Sequence, residues 1–462
     1  MTINLLAFSD VMRNVGFGAL AILILMVMIT VHEFGHYIVG KILGFKINEF
    51  AVGMGPAIIK KTKKNGEIFS LRLIPVGGYC AFEGEDDDSE SEGAFNKKEP
   101  WKRILVLLAG ATMNYLLALL VIIISMNVYG QSTLGVSLIK PYDGSDEAYI
   151  SQTLENGDHI LSIKRGNKRS SIYMTTDLIS ALNHAEEGEV VEVEVIRDGE
   201  TKTIPVKLRK GVECSNVTEV GKAYDALGFA SALKIVESDD RIFKADEYLV
   251  RIGFSGEDFD QSKIVYDEED IRATLEGAKT GDSVSFWTSR ESKYDWVLPS
   301  SWDNVDKKDV NSVLDFLGIK EKDYGYYVTS DYRKVGFFRS IGRSFGYSFR
   351  IGGTIFRTLG ELITGRLGIN SMGGTVTTIV TATKVIQMGP WYALEIISFI
   401  GVNLAVFNLL PIPALDGSKI VFCIIEWIRK KPINRKVEAI IHAIGFVLIL
   451  TFAILVDVLQ FI

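Results

Sequence analysis

The sequence predicts a membrane α-helical bundle of four transmembrane helices, with two α+β modules inserted between the second and the third. Three observations predict it. Nearly half of the residues are hydrophobic (47%), and the mean hydropathy is positive at +0.20. Four stretches of near-spanning length carry no charge. The long block between the second and third of these repeats itself. At 462 residues the chain has room for several domains. Its net charge of -7 is spread along the chain with no basic tract, which excludes nucleic acid as a partner class. Cys80, Cys214 and Cys423 lie far apart in different kinds of segment and read as unpaired thiols.

The uncharged stretches are Asn14 to Val31, Ile104 to Gly130, Ile396 to Leu415 and Ala439 to Val456. Each approaches the roughly 20 residues that cross a bilayer. The first has no small-residue cleavage site, so it reads as a span and not as a removable signal. Basic residues crowd the connection between the first two spans, from Lys41 to Arg103, and that between the last two, from Arg429 to Lys436. Positive flanks stay in the cytoplasm. The block from Gln131 to about Gly336 and both termini are therefore expected outside. The acidic run EGEDDDSESE (83–92) reads as a solvated cytoplasmic loop.

Within the outer block, Asp177, Leu182, Gly188 and Arg197 are matched by Asp270, Leu275, Gly281 and Arg290 at a constant offset of 93. In each copy a helical segment precedes an alternating strand, VVEVEVIR or SVSFWTSR. Two similar modules follow, and they resemble PDZ domains, with STLGVSL (132–138) in the first and ALGF (226–229) at the peptide-binding loop of the second. Such domains capture peptide C-termini by adding a strand to a sheet edge. Steric capping of the membrane portion explains the modules equally well.

The chemistry lies in MVMITVHEFGHYIVG (26–40). His32 and His36 are one helical turn apart and share a face, with Glu33 beside the first. In this HExxH spacing two histidines bind zinc and the glutamate acts as general base. Charged groups at mid-membrane cost about 2.5–3.5 kcal/mol each and persist chiefly where they have partners and a function. A catalytic zinc takes three protein ligands and a water. His159 and His184 belong to the outer block and His442 reads as a packed polar residue, which leaves Asp416 as the better third candidate. It ends the stretch NLAVFNLLPIPALDG (403–417), where Pro411 and Pro413 break the helix. Broken backbone at membrane depth needs burial in protein or a wet cavity. Asn403 and Asn408 lie in the same apolar run.

With HEFGH in the first span, LDG closing the third, PVGGY (75–79) and WKRILVLLAGATMN (101–114), the chain resembles the site-2 family of intramembrane zinc metalloproteases, peptidase M50. The tandem modules resemble its bacterial branch of regulators of sigma E. The resemblance implies one zinc ion held by His32, His36 and Asp416, with Glu33 activating water. It implies a membrane-associated β-loop at Gly53-Met54-Gly55, and substrate contacts there and at Asn403, Asn408, Pro411 and Pro413. It also implies a multi-pass protein of the bacterial inner membrane that cuts single-pass membrane proteins, such as trimmed anti-sigma factors or remnant signal peptides. Two departures stand out: GGTVT (373–377) replaces SGPVG, and Ser418-Lys419 follows LDG where relatives have a second glycine.

The expected domains are 1–130 with two spans and the β-loop, 131–212 and 213–300 as the PDZ-like modules, 301–385 as a linker with an interfacial helix, and 386–462 with two spans. Phe338, Ile341, Phe345, Phe349, Phe356, Leu359 and Ile363 recur at helical spacing among arginines, the pattern of a helix lying on the lipid bilayer. The alternative class is a transporter or receptor whose buried histidines and aspartate relay protons or metal. A requirement for Glu33 in turnover separates the two.

Overall fold

The computed structural model describes residues 2–85, 89–256, 261–289, 293–365 and 374–461. Arg290 and Gly373 lie outside the described residues. The chain forms two compact units, Met1–Gly130 with Lys334–Ile462, and Gln131–Arg333.

The first unit begins with helix α1 (Thr2–Ile42), which continues beyond both ends of the uncharged stretch Asn14 to Val31. It ends where Gly44 takes the left-handed φ of +71° that favours glycine. Strands β1 (Ile47–Thr62) and β2 (Ile68–Phe82) follow. Both bend sharply, because Phe50 pairs with Cys80 on one side and Phe69 on the other. The result is four segments in the order 57–62, 68–72, 47–52 and 78–82, antiparallel at the two outer pairings and parallel in register between 68–72 and 47–52. Gly53, Gly55 and Gly77, all with φ between +82° and +85°, make the bends. Helix α2 (Pro100–Val128) starts with proline at its first turn, where the missing amide hydrogen costs nothing.

The second unit contains β3 (Gln131–Val136), α3 (Glu147–Ser151), β4 (His159–Arg165), β5 (Lys168–Ser171), α4 (Thr175–Leu182), β6 (Val190–Arg197), β7 (Glu200–Lys207) and α5 (Gly221–Leu227). It continues through β8 (Ala232–Ser238), β9 (Glu247–Phe254), β10 (Lys263–Ile264), α6 (Glu268–Leu275), β11 (Ser283–Thr288), β12 (Lys293–Val297), α7 (Val310–Phe316), β13 (Ile319–Gly325) and β14 (Val328–Arg333). One sheet has the order β14-β3-β4-β6-β7 with β5 on β4; the other has β12-β11-β9-β8-β13 with β10 on β9.

Three of the four repeated pairs perform the same tasks in both modules. The Asp177 carboxylate accepts from the amides of Tyr173 and Met174, and Asp270 accepts from Tyr266 and Asp267, so each secures the start of a helix. Leu182 and Leu275 are fully buried in their respective cores. Gly188 and Gly281 turn the chain at φ +79° and +92°. Arg197 holds the buried Asp158 with two bonds of 2.7 Å.

The expected boundaries differ from the pairing. Strand β14, placed by sequence in a linker, pairs with β3 from Val328↔Val136 to Arg333↔Gln131, so the second module is inserted within the first. Helix α7 and β13, from the same expected linker, complete the second module. Residues 223–229 pack into the first core, with Leu227 and Phe229 buried. The ALGF segment is therefore core and turn, and the Gly228 carbonyl accepts from Lys140.

The first unit resumes with α8 (Phe337–Ile363), α9 (Thr375–Gln387), α10 (Pro390–Asn408), α11 (Asp416–Arg429) and α12 (Arg435–Phe461). Helix α9 was not anticipated; the Asp457 carboxylate from α12 accepts from the amides of Val376 and Thr377 at its start. The third span ends at Asn408, earlier than expected, and Asp416 opens a separate helix because Pro411 and Pro413 interrupt the backbone between them. Among the described residues, four helices are long and apolar enough to cross a membrane: Arg13–Ile42, Pro100–Val128, Pro390–Asn408 and Lys436–Leu459.

Candidate metal centre

Helix α1 presents His32 and His36 from one face, and the first residue of α11 brings Asp416 to them. The His32 Nε2 atom lies 3.0 Å from Asp416 Oδ2 and 3.1 Å from His36 Nε2, and the latter lies 3.3 Å from Asp416 Oδ2. Both histidines are 6% exposed. Three atoms from residues 384 positions apart thus converge as a triangle.

Each imidazole is held from behind. His36 Nδ1 donates to the Val106 carbonyl at 2.8 Å, which leaves its Nε2 lone pair facing the triangle. His32 Nδ1 lies 3.4 Å from the side-chain amides of both Asn114 and Asn408. Asn114 is fully buried, and its Oδ1 has no partner. A half turn of that amide would present the oxygen to a His32 Nδ1–H and again free Nε2. Helix α2 approaches so closely only because residue 110 is glycine. A Cβ there would meet the rings of both histidines, 2.8 Å from His32 Cε1.

The donor set fits zinc. Ligands about 2.0–2.1 Å from a tetrahedral zinc stand about 3.3 Å apart, close to the observed sides, and two imidazoles with one carboxylate match its preferred chemistry. Among the described residues, these three are the group of histidine, cysteine or acidic side chains close enough to share an ion. His159 belongs elsewhere: Thr133 and Arg333 bond its two nitrogens in the first module. Burial and the neighbouring Arg333 guanidinium lower its pKa. His442 accepts from the Ala414 amide at 3.0 Å, supporting the broken segment.

Glu33 borders a cavity of about 400 Å³ together with His36, Tyr79, Cys80, Asp416 and Lys419. The backbone of Cys80 hydrogen-bonds its carboxylate, and a Cβ on Gly78 would stand 3.7 Å from Glu33 Cγ. The strand segment 78–82 pairs with 47–52 on one side and has no strand on its other side among the described residues. Gly53, Met54 and Gly55 do not form that free edge. They occupy the bend, where Met54 pairs with Ile74 and Arg72 Nη1 donates to the Gly55 carbonyl at 2.6 Å. Asn403 donates to the Phe399 carbonyl one turn earlier at 2.8 Å and is not brought to the triangle. Of the residues that replace the second glycine, Ser418 bonds the Leu415 carbonyl and Lys419 pairs with Glu85 at 2.6 Å.

Sequence reasoning did not single out Val106, Gly110 or Asn114. The available signal was Asn114, an amide in the middle of an apolar run.

Comparison with known proteins agrees with this geometry. The regulator of sigma E protease of Haemophilus influenzae is 25% identical, over 94% of this chain and 96% of the relative. The regulator of sigma-E protease RseP of Escherichia coli is 24% identical over 93% and 94%. The zinc metalloprotease RasP of Bacillus licheniformis is 25% identical over 92% and 93%. The profile of Peptidase family M50 matches residues 20–452, nearly the whole length, and the chain belongs to that family.

Proposed function

We propose that the protein is a zinc-dependent intramembrane endopeptidase in which His32, His36 and Asp416 hold the metal and Glu33 is the general base. The observation that carries this reading is the triangle of two imidazole nitrogens and one carboxylate oxygen, buried beside a glutamate. A bound zinc ion would polarise the scissile carbonyl and acidify the attacking water. Glu33 accepts the proton of that water and is placed to pass it to the leaving amide nitrogen. Asn114, Asn408 and the Val106 carbonyl keep the imidazoles oriented.

A substrate helix hides its carbonyls in its own hydrogen bonds and must open before attack. The free edge at 78–82 offers replacement backbone bonds beside Glu33, in a region without bulk water. The bend at Gly53-Met54-Gly55 supports this edge, since the Met54 side chain lies across Gly77. Pro411 and Pro413 keep the segment before Asp416 open. The two outer modules are read as PDZ-like domains on the extracytoplasmic side of a bacterial membrane, with both termini. They admit single-pass substrates already trimmed of bulky outer portions, in keeping with relatives named as regulators of sigma E.

The test is Glu33→Gln with a membrane-anchored reporter. Cleavage should fall by about 10²–10⁴-fold, the usual contribution of a general base, while metal content stays the same. Asp416→Ala should lose the metal. Undiminished cleavage by the Glu33 variant would overturn the reading.

A further inference from the structure

We propose that a cavity between the start of α2 and the end of α11 binds the phosphate of an anionic glycerophospholipid headgroup. The cavity measures about 380 Å³ and is lined by Pro100, Arg103, Glu426, Trp427, Lys430 and Lys431. It is separate from the metal centre, and the inference does not depend on the chemistry there.

Arg103 is 6% exposed, and its guanidinium donates to Glu426. The other carboxylate oxygen of Glu426 accepts from the Ile433 amide at 2.9 Å. That acid is therefore satisfied and its charge balanced. The Nε–H of Arg103, however, is buried with no partner among the described residues. A buried guanidinium donor left unbonded is costly, and an anion with several acceptor oxygens in the cavity would satisfy it. Lys430 and Lys431 add two positive charges at the rim, and neither makes an ion pair among the described residues. The backbone places them there, because Lys430 adopts φ +54° and its amide closes α11 onto the Glu426 carbonyl. Pro100 stands at the positive end of the α2 dipole, a further preference for an anion.

The surroundings favour a lipid as the source. Trp427 is 55% exposed, Ile428 76%, Trp101 42% and Leu105 44%, so apolar side chains flank the basic rim. Both α2 and the following α12 are long and apolar enough to span. A basic pocket between such helices, edged by tryptophan, suits a headgroup phosphate with its acyl chains along the helices. Free phosphate shares the chemistry but has no use for the apolar flank. The Arg103–Glu426 pair joins the two helices that carry Gly110 and Asp416, so an occupied site clamps both.

The experiment counts phosphatidylglycerol and phosphatidylcholine retained by the full-length protein from equimolar mixed micelles, using native mass spectrometry. The double variant K430Q/K431Q removes both charges, keeps polar side chains only one atom shorter and makes the same backbone demand. Each basic residue near a membrane contributes about fivefold to anionic-lipid binding, so preference for phosphatidylglycerol should fall about 30-fold, with phosphatidylcholine unchanged. The control K60Q/K61Q, on the β-hairpin, should retain the preference. An undiminished preference in K430Q/K431Q, or an equal fall in the control, would overturn the proposal. Binding of inorganic phosphate without any preference for the charged lipid would overturn it as well.

Discussion

The two units of this chain differ in what they show to their surroundings. The inserted unit, residues 131–333, buries its largest apolar side chains: Trp302, Phe243, Phe286, Leu154 and Leu182 are essentially inaccessible. In the membrane unit many large apolar side chains point outward, with Phe338 86%, Ile428 76% and Leu448 64% exposed. Between its helices lie buried polar groups, among them His32, His36, Asn114, Ser344, Ser348 and Ser398, while Phe45, Phe82 and Phe95 form an apolar cluster at the hairpin. Even α8 follows this rule, packing on α2 through Ser348, which bonds Tyr115 at 2.8 Å, while its phenylalanines face out. The hydrophobic effect drives burial only where the surrounding solvent is water. Between lipid-facing helices, close packing of small residues and interhelical hydrogen bonds take its place. This is why a charged catalytic group can sit inside the membrane unit: its interior already offers polar partners.

Three experiments test that contrast, the first a pair of matched truncations. Leu182→Ala removes a fully buried side chain from the first outer core. It should destabilise residues 131–333 by about 2–5 kcal/mol, seen as faster hydrogen exchange there, with metal content unchanged. Leu448→Ala, the same truncation on a lipid-facing surface, should change stability by less than about 0.5 kcal/mol. Comparable losses at both sites would remove the distinction.

Gly110→Ala acts on the polar interior. The new Cβ presses on both imidazoles, and metal affinity should fall by about 10–100-fold, as when other supports of metal ligands are disturbed. Chelator competition measures it, and an unchanged affinity would mean that α2 does not position the histidines.

The third experiment concerns the buried carboxylate that ties the β-hairpin to α1. Burial by itself would raise the pKa of Glu67, but bonds from Lys41, Tyr37 and Asn65 hold it down, at about 2 against the usual 4.5. Its folded pKa is the lower one, so its stabilisation is complete above about 4.5 and is lost as pH falls toward 2. Pepsin cleavage within the hairpin should increase across that window in the wild type. Glu67→Gln should be more susceptible at pH 5 and much less dependent on pH. Identical pH profiles would show that Glu67 does not anchor the hairpin.

The site was legible to unequal degrees. The spacing of His32 and His36 specifies one helix face, because a helix has a local period. Asp416 was visible as a charge beside two prolines in an apolar run. The supports on α2 were not, since nothing local to Gly110 or Asn114 says which helix packs against them. The same limit explains the unpaired strand edge at 78–82, which no local pattern marks. A bend lets one strand pair on two sides, and the partners are distant in sequence. Strand β14 is the extreme case. Its residues show no sign of a partner nearly 200 positions earlier, yet they complete the first sheet.

By itself the sequence determined the spans, the repeat and the histidine pair, for each rests on hydrophobicity or on a period of a few residues. Tertiary structure alone decided which residues of α2 support the histidines, which strand edge lies beside Glu33 and where one module interrupts the other. Those outcomes depend on packing and pairing between segments far apart in the chain, and local patterns carry no record of the partner.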